Sequence, residues 1–175
     1  MKTIGSTIIM LALASSLFAD NGKELKLASP DGTHEIVFYQ KQVSPAVNEL
    51  CYRVDYKSQP VVNESRAGLE LDNRIWEMAL GVRNLKQPAC WMDNLEVDSV
   101  TYQPETNLTW QPLYGERSSV RDHYRAGTLC LSKKDNSGYR LNIEVRAYNE
   151  GVAFRYFFPE HPKALFPKGV GDLTE

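Results

Sequence analysis

Acidic and basic side chains are concentrated in the segment TWQPLYGERSSVRDHY, at residues 109–124. Glu116 and Asp122 are carboxylic acids and His123 follows Asp122 directly, so the segment contains the residue types of a general acid/base pair. Glycoside hydrolysis needs two carboxyl groups about 5 to 9.5 Å apart across a substrate, and Glu116 with Asp122 or Glu150 would supply them. Surface carboxylates are common on antiparallel sheets, however, so catalysis within this chain is the weaker interpretation.

The same segment has the composition of a surface that contacts a polar ligand. Trp110, Tyr114 and Tyr124 offer flat apolar faces, and the residues between them supply hydrogen-bond donors and acceptors, which together suit a ring-shaped ligand such as a sugar. The alternative is a structural Arg–Glu network in which the two aromatic rings fill the edge of a sandwich. The structural or interdomain role is favoured, and the candidate carbohydrate-facing or interdomain-facing residues here are Trp110, Glu116, Arg121, His123 and Tyr124.

A second group of polar residues lies in RAYNEGVAFRY, at residues 146–156. The sequence YNEG predicts a hairpin turn in which Asn149 or Gly151 adopts a positive φ. Asn149 therefore joins the candidate site. Arg155 is expected to pair with Glu144 across the hairpin, as a structural cross-strand contact.

Other sequence signatures of catalysis do not occur. The chain has no G-x-S-x-G, P-loop, G-x-G-x-x-G or H-E-x-x-H motif. Its three cysteines and three histidines do not have the spacing of a zinc site. We therefore assign no catalytic residue and no metal ligand, and we interpret His34 and His161 as solvated or singly hydrogen-bonded side chains.

Charge and length limit the classes of partner. The 20 basic and 22 acidic residues are mixed along the 175-residue chain, so neither nucleic acid nor an anionic membrane is an expected partner. Lys2 precedes the apolar stretch TIIMLALASSLFA, which is too short to span a bilayer and ends in small residues. Residues 1–19 are thus predicted to be a signal peptide, and residues 20–175 a single secreted or periplasmic domain without a membrane span.

Three cysteines remain in this oxidising compartment, so at least one is unpaired. Cys51 and Cys130 each lie in a run of alternating apolar residues and are interpreted as small buried hydrophobic side chains. A disulfide bond between Cys51 and Cys130 remains open as an alternative.

Period-two alternation of apolar residues, in short runs bounded by Gly, Pro, Asn and Asp, predicts an all-β antiparallel sandwich. The predicted strands are ELKLAS, HEIVFYQK, ELCYRVDY, AGLELD, YRAGTLCLSK, YRLNIEVRAY and GVAFRYFF. Residues 29–32, SPDG, predict a type I turn. DNRIWEMALGVRNL is expected to form one or two helical turns, and residues 74–103 a long irregular connection. Because the last segment passes three prolines without another strand, the sandwich is expected to be incomplete at its C-terminus.

The ordered set LASPDG, LCYRVDYKSQPVV, SRAGLEL, WQPLYGERSSVRDHY and RLNIEVRAYNEGVAFRYFFPE resembles the N-terminal domain of glycoside hydrolase family 97, over most of residues 25–160. The WQPLYGE and YNEGVAFRY segments carry the most specific part of the resemblance. It implies a β-supersandwich of the galactose-mutarotase type, in a secreted bacterial α-glucosidase or α-galactosidase.

The resemblance also implies that catalysis lies elsewhere. In this family a (β/α)8 barrel carries the catalytic carboxylates and a calcium ion assists them, while the N-terminal domain packs on the barrel. The chain is therefore expected to support a barrel that it does not contain, to face an α-linked oligosaccharide or galactoside only within the full-length enzyme, and to be inactive alone. The alternative is a freestanding periplasmic carbohydrate-binding sandwich without hydrolase activity.

Overall fold

The computed structural model describes residues 23–81, 83, 89–134 and 138–159. The predicted signal peptide at 1–19 and the C-terminal tail with His161 lie outside the described residues. Along the chain the elements are β1 (Leu25–Ala28), β2 (His34–Ser44), β3 (Val47–Tyr56), β4 (Gln59–Arg66), α1 (Asn73–Leu80), β5 (Leu95–Trp110), β6 (Val120–Lys133), β7 (Arg140–Tyr148) and β8 (Gly151–Phe157).

The strands form two antiparallel sheets of four strands each, in the orders β1-β2-β3-β4 and β5-β6-β7-β8. Each sheet is a meander in which every strand pairs with the next one along the chain, as short hairpin connections require. The predicted all-β antiparallel sandwich is thereby confirmed. Among the described residues, no helix is long and apolar enough to cross a membrane.

Alternating side chains build the core between the sheets. On β7, every second residue is at most 1% exposed, and the residues between them face outward. These buried side chains pack with buried side chains of β1, β2 and β6. The largest fully buried side chains on these four strands are Leu25, Ile36, Phe38, Leu129, Leu131, Leu141 and Ile143.

The two sheets are offset from each other. Across the interface between the sheets, β1 contacts β6 and β7, whereas β2 contacts β7 and β8. The inner face of β3 meets β8 through Tyr52, whose ring lies 5.3 Å from that of Phe154. The segment that follows β4 adds Trp91 to the core, where it is 1% exposed. Tyr156 of β8 ties this segment to the second sheet, because its hydroxyl accepts a hydrogen bond from the Gly68 backbone N–H at 2.7 Å.

Two sequence predictions were wrong in this region. Residues 67–72, AGLELD, do not form a strand; the segment has one isolated bridge, between Glu70 and Cys90. Gly68 adopts φ +135 and lies against the Trp91 carbonyl, where no Cβ fits, so the chain turns there and its apolar residues pack on the core from a loop.

The second error concerns residues 95–103, which were expected to belong to a long irregular connection and form more than half of β5. The helical turns expected in DNRIWEMALGVRNL are confirmed by α1. The helix begins after Asp72, whose carboxylate accepts a hydrogen bond from the Arg74 N–H, and ends at Gly81 with φ 65. Strands β4 and β5 are edge strands that are exposed along most of their length, so neither shows the alternation on which the prediction relied.

The three cysteines are free thiols. Cys51 is buried on β3 and Cys130 is half-buried on β6, in different sheets. Burial raises the pKa of the Cys51 thiol, as expected for a cysteine that acts as a small hydrophobic side chain. The structure therefore supports the packing interpretation for Cys51, whereas Cys130 is only half-buried and lines an open cleft, and there is no Cys51–Cys130 disulfide.

Asp31 organises the turn between β1 and β2. Its carboxylate accepts hydrogen bonds from the Ser29 hydroxyl at 2.6 Å and from the N–H and hydroxyl of Thr33 at 3.0 and 2.9 Å. These bonds, that of Ser29 foremost, lower the pKa of Asp31 to about 2. Its backbone N–H donates to the Asn149 side chain at 3.1 Å, which joins the two sheets. Asn149 and Gly151 both have negative φ, so the predicted positive φ was wrong.

Replacing this carboxylate tests the turn. Because the folded-state pKa of Asp31 lies below its usual value of 3.8, its stabilisation is fully present above about pH 4 and is lost as the pH falls towards 2. We expect Asp31→Ala to lower the urea midpoint at pH 7, and the difference from the wild type to shrink at pH 2.5.

The matched control is Asp122→Ala, since the Asp122 carboxylate accepts no hydrogen bond from another described residue. It should leave the urea midpoint close to that of the wild type at both pH values. An Asp31→Ala effect of equal size at pH 7 and pH 2.5 would show that the ionised carboxylate is not what stabilises the turn.

Candidate functional site

Strands β5 and β6 extend beyond their sheet as a two-stranded hairpin, which we call the arm (residues 105–124). Strand β7 pairs with β6 only as far as Tyr124, opposite Tyr148. Beyond that point β6 pairs with β5 alone, up to the pair Trp110 and Val120, and the tip loop follows at residues 111–119. Five of the six candidate residues lie in the arm, and Asn149 lies in the neighbouring β7–β8 turn.

The arm has two faces that separate the candidate residues. Strand β6 is regular throughout, so Arg121 and His123 lie on the same face as the core residue Leu129. Tyr124 faces the opposite, outer side, together with Trp110 on β5. The candidate residues that the sequence grouped together are thus divided between an inner and an outer face.

The inner face carries a network of charged side chains. Glu105 accepts hydrogen bonds from His123 Nε2 at 2.7 Å and from Arg125 Nε at 3.0 Å. Arg121 donates to the side chain of Asn107 at 2.9 Å. The bonds from His123 and then Arg125 lower the pKa of Glu105. The Nδ1 atom of His123 is buried without a hydrogen-bond partner among the described residues.

The outer face carries aromatic rings. Tyr124 and Tyr148 lie side by side with their ring centroids 5.2 Å apart. The Arg146 guanidinium lies 4.6 Å from the centre of the Tyr124 ring, in a cation–π contact. Further along the arm, Leu108 and Trp110 are 63% and 53% exposed on this same face.

The tip loop has little contact with the domain. Leu113 is fully exposed and Tyr114 is 90% exposed. Glu116 is also exposed, and no hydrogen bond or ion pair joins it to another described residue. Gly115 adopts φ 122 at the turn, a conformation that favours glycine. The loop therefore presents its side chains outward rather than into a pocket.

Asn149 and Arg155, the two residues singled out in the segment RAYNEGVAFRY, have structural contacts. Asn149 accepts the hydrogen bond from the Asp31 backbone. Arg155 donates to Glu144 at 2.8 Å, and the two residues are direct register partners on β8 and β7, which confirms the predicted cross-strand pair.

Sequence reasoning missed Glu105, Arg125, Arg146 and Tyr148. Glu105 follows Pro104 at a bulge between Gln103 and Thr106, where alternation is lost. The other three lie in strands that were predicted, but only the pairing of β6 with β7 and β5 shows which partner each one meets. The position of Pro104 within a strand was the one local signal of the bulge.

Glu105 does not have the environment of a general acid. Glu105 is the carboxylate that contacts an imidazole, and its pKa is lowered, whereas a general acid of glycoside hydrolysis needs a raised one. Among the residues that the structure describes, no three His, Cys, Asp or Glu side chains lie close enough together to hold a metal ion.

The Glu105 network makes a testable prediction. In the wild type, 13C NMR should place the titration of the Glu105 carboxyl below the ordinary value for glutamate. His123→Ala removes the contact that lowers this pKa most, so it should move the titration upwards, and by more than Arg125→Ala does.

Arg121→Ala is the control, because Arg121 bonds to Asn107 instead of Glu105. It should leave the Glu105 titration almost unchanged. If His123→Ala also left it unchanged, the contact between His123 and Glu105 would not exist in solution.

Comparison with known proteins assigns this architecture. A family model described as Glycosyl-hydrolase 97 N-terminal matches residues 27–171. A retaining alpha-galactosidase of Bacteroides thetaiotaomicron is 26% identical over 150 residues, which cover 86% of this chain and 19% of that protein. Two structures of a glycoside hydrolase family 97 enzyme from a Pseudoalteromonas species, in complex with panose and with acarbose, are 27% identical, with a TM-score of 0.63.

The alignment with these structures covers 79% of this chain and 18% of each of theirs. The chain therefore spans about a fifth of the length of the relatives it matches. Since the family model covers most of the sequence and the sandwich superimposes on solved members, the chain belongs to the family of glycoside hydrolase 97 N-terminal domains.

Proposed function

We propose that this chain is the non-catalytic N-terminal part of a secreted α-glycosidase and that it supports a catalytic barrel in the same enzyme. The observation that carries the proposal is the match of residues 27–171 to the family's N-terminal model, in relatives about five times as long. The site agrees with a supporting role, because the charged side chains of the inner face pair with one another.

The proposed substrate is an α-linked glycoside of galactose or glucose. The Bacteroides relative is a retaining alpha-galactosidase, and the Pseudoalteromonas enzyme was solved with panose and acarbose. The hydrophobic stretch before residue 20 supports secretion or a periplasmic location. Calcium is expected in the full-length enzyme, and no step of this proposal depends on ligands from the described residues.

An activity assay tests the proposal. We expect residues 20–175 alone to hydrolyse p-nitrophenyl α-galactoside and α-glucoside no faster than buffer. The same domain joined to its catalytic barrel should hydrolyse one of them. If the catalytic carboxylates lie in the barrel, the short chain lacks the general acid that protonates the leaving group, which is the physical reason for the expected difference.

Glu116→Gln in the short chain is the matched control, because Glu116 is the exposed carboxylate of the tip loop. If the short chain turned substrate over and Glu116→Gln abolished the turnover, the chemistry would lie in this domain and the proposal would be wrong.

A second function is favoured by one specific observation, the aromatic outer face. Tyr124, Tyr148 and the exposed Trp110 offer ring faces of the kind on which sugars stack. Under this alternative the chain binds oligosaccharides by itself. Titration calorimetry with an α-linked oligosaccharide separates the two functions: binding by residues 20–175 that Trp110→Ala removes would support the alternative.

A further inference from the structure

We propose that the outer face and tip of the arm form a docking surface for the polypeptide that follows residue 175 in the full-length enzyme. The surface consists of Leu108, Trp110, Leu113 and Tyr114. This inference rests on the proposed function, and it names the part of the domain through which the support is given.

Exposure is the first observation. All four side chains are large and more than half exposed, and they lie between residues 108 and 114. Single exposed hydrophobic residues are ordinary, but a group of them in one segment marks a contact surface. Trp and Tyr are also the residues that contribute most to the centres of protein interfaces.

The direction in which the side chains face is the second observation. On β5, Val100 and Tyr102 face the core side, opposite Leu129 and Gly127. The bulge between Gln103 and Thr106 inserts one extra residue, so that Leu108 and Trp110 turn to the outer face. Without it, they would lie beside the charged network of the inner face.

The inner face does not need a partner to the same extent. Its charged groups already have partners, since Glu105 pairs with His123 and Arg125, and Arg121 with Asn107. The arm is thus charged on the side that continues the core. Its outer side carries the large apolar side chains Leu108 and Trp110, with Asp122 opposite Leu108. Apolar side chains on the outer face are expected where another part of the protein covers that face.

The shape of the surface selects the kind of partner. Sugar sites are concave and enclose most of the ligand, whereas Leu113 and Tyr114 protrude at the end of a two-stranded arm. An open cleft of about 920 Å³ does exist, but it lies around Asp98, Ser132 and Asn142, at the other end of the sheet. A protruding apolar tip fits a groove on another protein surface better than it fits a sugar.

The partner in this proposal is the rest of the same polypeptide. The relatives are about five times as long as this chain, so most of the enzyme lies outside residues 1–175. A covalently joined partner is present at a high effective concentration, and a patch of only four large side chains then suffices to hold it. A separate protein would need a larger interface to bind stably.

Photo-crosslinking tests the docking surface in the full-length enzyme. Tyr114 is replaced by p-benzoyl-phenylalanine, the protein is irradiated, and the crosslinked peptides are identified by mass spectrometry. We expect the main product to have the mass of a monomer and to join the peptide around residue 114 to a peptide beyond residue 175. The same replacement at Val61, an exposed apolar residue on the edge strand β4, should not give this product.

Three outcomes would overturn the inference. A crosslinked dimer would mean that a second copy covers the tip, and the absence of any protein crosslink would leave the tip free for solvent or a sugar. Equal crosslinking from Val61 would show that the contact with the rest of the polypeptide is not specific to the arm. An enzyme that hydrolyses glycosides but gives no crosslink from Tyr114 would refute this inference while leaving the proposed function intact.

Discussion

Strand β6 is longer than the sheet that packs on it, and this difference divides the domain into a core and an arm. From Gly127 to Leu131 its inner face lies against β1, where a Cβ on Gly127 would stand 3.3 Å from Leu25. Beyond Tyr124, β6 pairs with β5 alone. The inner face must therefore change from apolar to polar within a few residues, and it does so at Arg125, His123 and Arg121.

On the outer face of the arm, the bulge in β5 has the opposite effect, since it brings large apolar side chains to the surface. One extra residue next to Pro104 shifts the register, so that the apolar side chains of the distal strand point outward. The result is an arm that stabilises itself through ion pairs and hydrogen bonds on one side and offers an apolar surface on the other. A domain that supports a larger enzyme needs such a surface, and a freestanding domain would expose it to water at a cost.

Sequence reasoning succeeded where strands are buried on one face. The alternation of β7 and its neighbours β6 and β8 predicted the sandwich, the hairpins and the pair of Glu144 with Arg155. It failed for the edge strands β4 and β5, whose faces are both exposed and therefore carry no alternation. The sequence located the segment that contains most of the candidate site, but it did not show how the side chains are arranged. The face on which each side chain lies and the residue it contacts depend on the β5 bulge and on the register between strands that are far apart in sequence.

The boundary between core and arm can be tested most directly by comparing two tryptophans. Trp91 is 1% exposed and Trp110 is 53% exposed. In urea unfolding of residues 20–175, Trp91→Ala should lower the free energy of unfolding by about 3–5 kcal/mol, whereas Trp110→Ala should change it by no more than about 0.5 kcal/mol. A loss at Trp110 as large as that at Trp91 would mean that the arm is part of the core, which would contradict the division of the domain into a core and an arm.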